Sequence, residues 1–181
     1  AVDVPVVIYV NPANTGFLPS VSLIVRLAQE FSNVSAVKVT HSDFSYLVEL
    51  IREAKAARRD FTVLTGLDYM FLPTLEVGGD GVVGALANAA PELYVALHRA
   101  WESGDYREAL SRHAAILELS RVYWYRAPGA EVPSLVKGLM EGLGTPVRRF
   151  VRQPLRPLTD QEISEVTAIA SSALSGLTQR R

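Results

Sequence analysis

The sequence contains no cysteine among its 181 residues, so neither a disulfide framework nor a thiolate ligand or nucleophile is available to it. Lysine is nearly missing as well: Lys38, Lys55 and Lys137 stand against 15 arginines. An arginine cannot be deprotonated to a nucleophile under ordinary conditions and a lysine can, so each lysine is a notable choice. Excess charge is lacking too, since 18 basic and 19 acidic side chains leave a formal net charge of -1 at pH 7. That balance argues against a dedicated nucleic-acid or membrane-surface binder. No uninterrupted apolar run approaches the ~18 residues that span a bilayer. No signal-type segment is read at the start, so a soluble, cytoplasmic chain is the expectation. What is present is 49% hydrophobic residues, enough for a sizeable core, over a length that by itself suggests one domain.

The first half alternates β-branched runs with helical repeats, the pattern of βα units around a parallel sheet. Val4 to Tyr9 reads as a strand covered on both faces. Turn residues 11–16 follow, then apolar positions at helical spacing from Val21 to Phe31. A second strand is expected over Val34 to Val39, with Ser42 or Asp43 capping the next helix. Phe61 to Thr65 gives a third strand and Val82 to Leu86 a fourth, with a short helix over Tyr69 to Val77 between them. Beyond these, Pro91 to Glu102, Tyr106 to Arg126, Pro133 to Leu143 and Asp160 to Leu174 read as helices. Four βα units with a helical tail fit a small open sheet or half of a barrel; a whole (β/α)8 barrel needs roughly 250 residues.

Lys38 lies among β-branched residues near the carboxyl end of the second strand. Its stem could simply cover apolar surface while its ammonium reaches water. Alternatively, burial would free its lone pair to attack a carbonyl and form a Schiff base. Tyr9 ends the preceding strand at the corresponding level, where its phenol could shuttle a proton or be an ordinary buried tyrosine. Gly66 and Gly84 fall on the same edge of the next two strands, where a missing side chain lets a ligand approach the backbone.

Read in order, Tyr9-Val10-Asn11-Pro12-Ala13-Asn14-Thr15-Gly16, Lys38, Leu64-Thr65-Gly66-Leu67-Asp68 and Gly81-Val82-Val83-Gly84-Ala85-Leu86 resemble the dihydrodipicolinate synthase and N-acetylneuraminate lyase superfamily. The resemblance continues through Pro133 to Lys137, Gly142 to Gly144 and Arg152 to Leu158. It implies an α/β fold, the carboxyl-terminal half of a (β/α)8 barrel (strands five to eight) with a C-terminal helical extension. Residues 1–90 would be the half-barrel and residues 91–181 its last helix and the extension. It further implies a pyruvate-dependent class I aldolase or lyase, mostly homotetrameric, needing no cofactor. Lys38 takes the place of the Schiff-base lysine and Tyr9 that of the proton relay. Thr15, Gly66, Asp68, Gly84 and Ala85 are the implied substrate-binding positions, with Asp68 facing hydroxyls of a sugar-like aldehyde.

The departures from the family pattern are specific. Synthases acting on aspartate semialdehyde carry an arginine where this sequence has Asn14, and an amide cannot replace a bidentate guanidinium. Tyr-x-Asn-Pro, and Gly84 in place of a serine, point to an aldolase branch of the 2-keto-3-deoxy sugar acid type. Dihydrodipicolinate synthase proper and a barrel that only binds or regulates are the alternatives. The family's Gly-Thr-Thr-Gly-Glu carboxylate loop and strands one to four are not found here. The expectation is therefore the carboxyl-terminal part of a longer polypeptide, with the abrupt start at Ala1 as a cut edge and the amino-terminal half of the barrel as a missing partner. A 2-keto acid and an aldehyde are the expected small-molecule partners, with no nucleic acid and no membrane.

The remaining features read as ordinary structure. His41, His98 and His113 show no metal-ligand spacing, and no metal is expected. The basic cluster at Arg148, Arg149, Arg152 and Arg156 reads as surface or inter-subunit material, and Tyr123-Trp124-Tyr125 as packing or interface.

Overall fold

The computed structural model describes residues 2–178; Ala1, the expected cut edge, and residues 179–181 at the far end of the expected helical extension lie outside them. Four β-branched segments form strands: β1 (Val6–Val10), β2 (Val34–Val39), β3 (Thr62–Thr65) and β4 (Gly81–Val82). They pair in parallel in the order β1-β2-β3-β4. The helices among them are α1 (Pro12–Thr15), α2 (Val21–Glu30), α3 (Phe44–Ala57) and α4 (Phe71–Glu76). Their starts follow from capping chemistry. The Ser20 hydroxyl accepts from Leu23 N at the head of α2, and the Asp43 carboxylate accepts from Ser45 N and Tyr46 N at the head of α3.

One face of this sheet carries the core. Val10, Val37, Val39 and Val63 pack with Ile24 and Ala28 of α2 and with Leu47, Leu50, Ile51 and Ala54 of α3, all buried. Each fully buried aliphatic side chain of this kind contributes about 1.5–3 kcal/mol. The strand period of two then puts Val7, Tyr9, Ala36, Lys38, Thr62 and Leu64 on the other face. Val7 and Tyr9 are each 53% exposed, which corrects the expectation that the first strand is covered on both faces. Its burial alternates because α2 and α3 cover one side only.

The fourth strand also departs from expectation. It spans only Gly81–Val82, its pairing carried one residue further by Val83 N donating to Thr65 O, and the chain then turns into a 3-10 segment at Leu86–Asn88. The β-branched pair Val82-Val83 signals a strand but not where it stops. Residues 11–16, read as a turn, contain the short helix α1, and the helix expected over Tyr69 to Val77 is a 3-10 turn at Asp68–Met70 followed by α4.

The chain divides into two compact units, the sheet unit up to Gly84 and a helical unit from Ala85. The helical unit comprises α5 (Pro91–Glu102), α6 (Tyr106–Leu119), α7 (Val132–Gly142) and α8 (Asp160–Thr178). Prolines stand in the first turns of α5 and α7, where a missing N–H costs nothing, and Asp105 caps α6. Within this unit α5 packs on α6, and α6 and α7 both pack on α8. The helix expected to run from Tyr106 to Arg126 tightens into 3-10 geometry at Ser120–Trp124. Among the described residues no helix is long and apolar enough to cross a membrane.

Candidate active site

Parallel pairing sets Tyr9 of β1 directly beside Lys38 of β2, and Lys38 beside Leu64 of β3. All three lie on the sheet face opposite the core, near the carboxyl ends of their strands. The Lys38 ammonium sits 4.4 Å from the centroid of the Tyr9 ring, within cation-π range. The other two lysines are engaged elsewhere: Lys55 Nζ pairs with Asp80 at 2.7 Å, and Lys137 Nζ donates to the Phe150 carbonyl at 2.7 Å.

The Tyr9 phenol oxygen is held by two donors. Asn11 Nδ2 donates to it at 3.1 Å and Thr40 Oγ1 at 3.2 Å. Partial burial pushes the phenol pKa up, but the Thr40 hydrogen bond, the Lys38 charge and the Asn11 amide outweigh that effect and leave it below its ordinary value of 10.0. Asn11 and Thr40 are not among the candidates the sequence offers, although each lies two residues beyond Tyr9 or Lys38, the spacing that returns a side chain to the same side of an extended chain.

The glycines are close-fitting rather than open. A Cβ on Gly66 would collide with Thr40 Oγ1 and come within 2.8 Å of Lys38 Cε. At Gly84 a Cβ would collide with the Asp68 carboxylate, 2.7 Å from its Cγ. The space expected for a ligand is thus occupied by the chain's own Lys38, Thr40 and Asp68 side chains. Asp68 is 1% exposed, a carboxylate buried at the carboxyl end of β3. Thr15 ends α1 on the surface, and its hydroxyl is occupied with its own turn, donating to the Asn11 carbonyl at 3.0 Å and to Phe17 O at 3.1 Å. Ala85 belongs to the helical unit, where its carbonyl accepts from the Asn88 side chain at 3.0 Å. The structure therefore brings Tyr9, Lys38 and Gly66 together with Asn11 and Thr40, joins Asp68 to Gly84, and gives Thr15 and Ala85 local partners.

Chemically, an amine beside a phenol whose oxygen is ringed by donors can form an imine and exchange a proton with a substrate oxygen. His41 stacks edge-on against Tyr46 with ring centroids 5.9 Å apart. Among the described residues no group of three His, Asp or Glu side chains could hold a metal ion. The basic cluster of the helical unit is neutralised in part: Arg149 pairs with Glu141 at 2.8 Å and Asp160 at 2.6 Å, and Arg156 with Glu162 at 2.6 Å.

The profile of the dihydrodipicolinate synthetase family matches residues 1–173. An uncharacterized DapA-like lyase of Thermofilum pendens is 42% identical over 93% of this chain and 55% of its own length. A probable 2-dehydro-3-deoxy-D-pentonate aldolase of Escherichia coli K12 is 31% identical over 95% of this chain and 56% of its own length. The chain thus spans about half the length of the curated relatives it matches. Among solved structures, YagE, a prophage protein of the dihydrodipicolinic acid synthase family from Escherichia coli K12 in complex with pyruvate, superposes with a TM-score of 0.88 at 32% identity. That match covers 96% of this chain and 57% of the other.

Proposed function

The chain belongs to the dihydrodipicolinate synthetase family, and on that premise we propose that it is the carboxyl-terminal part of a lyase, a class I aldolase that makes or breaks a carbon-carbon bond between pyruvate and an aldehyde. In this reading residues 1–90 supply strands five to eight of a (β/α)8 barrel and residues 91–181 its last helix and helical extension. The amino-terminal half of the barrel completes the site, and the whole works as a cytoplasmic homo-oligomer.

The observation that carries the reading is the Lys38–Tyr9 pair, one of only three lysines facing a phenol across adjacent parallel strands. The Lys38 amine adds to the keto carbon of pyruvate, and loss of water leaves an imine. The imine nitrogen draws electrons, so the methyl carbon gives up a proton and becomes an enamine. That carbon then attacks the aldehyde carbon, and the new alkoxide takes a proton from Tyr9. Water adds to the imine, releasing product and regenerating the amine. In the cleavage direction the phenolate form of Tyr9 takes the hydroxyl proton instead, and the donors that lower its pKa raise the share of that form. Gly66 keeps the wall beside Lys38 thin, so that the Lys38 amine and the Tyr9 phenol share one open face. The name of the Escherichia coli pentonate aldolase and the amide at Asn14 both favour an aldehyde of the sugar type over aspartate semialdehyde.

Borohydride reduction of the full-length protein in the presence of pyruvate tests the proposal. A reduced pyruvate adduct on Lys38, seen by peptide mass spectrometry and lost in Lys38→Arg, is expected. Absence of any adduct on the full-length protein would overturn the aldolase reading in favour of a barrel that only binds.

A further inference from the structure

Asn11 stands immediately after β1, at the N-cap position of α1 and just before Pro12. An asparagine here ordinarily turns its side chain onto the first free amides of the helix. This one makes no such bond. Its Nδ2 donates to the Tyr9 phenol oxygen instead, and the residue is only 9% exposed. The start of α1 is held without the side chain, because the Asn11 carbonyl accepts from Asn14 N at 3.1 Å, Thr15 N at 3.0 Å and Thr15 Oγ1 at 3.0 Å. Pro12 adds a backbone already set for the first helical turn. A buried amide has thus been withdrawn from the local role its position offers and aimed at the one phenol on the open face of the sheet.

We propose that Asn11 is a positioning residue of the site: together with Thr40 it holds the Tyr9 oxygen between two donors from adjacent strand ends, fixing the phenol over Lys38. With Asn11 and Thr40 donating to that oxygen and the Lys38 ammonium close beside it, the phenol proton is the group left to be exchanged with a further partner. A phenolate formed by that exchange keeps both donors as charge-assisted hydrogen bonds. The catalytic meaning of this rests on the aldolase reading above, whereas the hold on the phenol does not.

The test is a pH titration of the full chain labelled at tyrosine Cζ, followed by carbon-13 NMR. The chain has seven tyrosines, and the Tyr9 signal is identified by its loss in Tyr9→Phe. Replacing the amide by Asn11→Leu is expected to move the Tyr9 midpoint upward, lowering the phenolate fraction at a fixed pH below the midpoint about tenfold. A purely structural Asn11 would leave the midpoint where it is and change only the melting temperature, and that result overturns the proposal. Should Asn11→Leu not fold, the isosteric Asn11→Asp carries the same test. A carboxylate against the phenol must raise the midpoint, and an unmoved or lowered midpoint overturns the proposal. A shifted midpoint combined with no borohydride adduct on Lys38 would dismiss the aldolase reading while leaving the role of Asn11 over the phenol standing.

Discussion

Up to Gly84 the buried polar side chains are bonded: Asn11 to the Tyr9 phenol, Thr65 to Leu67 N, Thr74 to the Met70 carbonyl. From Ala85 onward, among the described residues, His113 Nδ1, Ser134 Oγ and Thr167 Oγ1 are buried without a hydrogen-bond partner. Each such orphan costs about 1–3 kcal/mol, so the helical unit tolerates unmet polar groups that the sheet unit does not. The difference follows from how each is built. In the sheet unit these three bonds close within two to four residues, while Thr40 Oγ1 donating to the Tyr9 phenol reaches between adjacent strands. The helical unit is held instead by apolar packing, with ion pairs such as Arg156–Glu162 beside it; there Glu162 is pushed down to about 2, chiefly by the Arg156 guanidinium. Order among polar groups is thus concentrated where chemistry is proposed.

The sharpest way to break that contrast is to remove a lysine from each unit. In the full-length protein, Lys38→Ala is expected to abolish pyruvate trapping and lower turnover on the order of 10⁴-fold or more, as loss of a covalent nucleophile does. Lys137→Ala removes only a bond to the Phe150 carbonyl and leaves turnover within twofold, about 0.4 kcal/mol by the rate relation. Steady-state kinetics on the two variants decides it, and equal losses would mean that the sheet edge is not the seat of the reaction.

A smaller effect comes from adding one methyl group to a glycine in each unit. Gly66→Ala drives a Cβ into Thr40 Oγ1 and Lys38 Cε, so the Thr40 bond to Tyr9 must break and Lys38 must shift. A displacement of that kind costs about 10²-fold in turnover. Gly138→Ala meets Leu158 Cδ1 at 2.6 Å, and Leu158 is 2% exposed with little room to yield. The expected cost there is roughly 1–3 kcal/mol of stability from overpacking, with turnover unchanged at a temperature where the variant is folded. Melting curves and turnover measured side by side check both halves; a fully active Gly66→Ala would show that the Thr40 contact is dispensable.

The same contrast marks what could be read from sequence. Helices α2, α3 and α5 are legible because apolar spacing and caps such as Asp43 act within a few residues. Tyr9 and Lys38 are legible as a pair because both end β-branched runs in consecutive βα units, and parallel pairing equates such ends. Asn11 and Thr40 are not, because asparagine beside proline and a threonine after a strand have ready explanations as turn chemistry. Whether Thr40 meets the Tyr9 phenol depends on the register between strands, a tertiary fact, whereas Asn11 reaches it from two residues along the chain and is hidden only by its ordinary turn role. The β-branched pair Val82-Val83 likewise marks β4 but carries no local signal for its end, which falls after Val82.

The smallest expected effect concerns acid. His113 is 6% exposed on α6, its Nδ1 lacks a partner, and burial lowers its pKa below the ordinary 6.5. The unfolded chain therefore takes up a proton near pH 6.5 while the folded one still resists it. By linkage, the stability contribution is complete above that pH and is lost progressively as pH falls through the lower folded value. His113→Leu, of similar volume and without a titrating group, removes both the orphan nitrogen and this slope. Melting temperatures measured from pH 7 to pH 5 should then converge less steeply toward unfolding in the variant than in the parent, with the parent losing ground only below about pH 6.5. Parallel slopes for parent and His113→Leu would instead mean that the helical unit opens around His113 without cost, and the contrast between the two units in polar order would have to be given up.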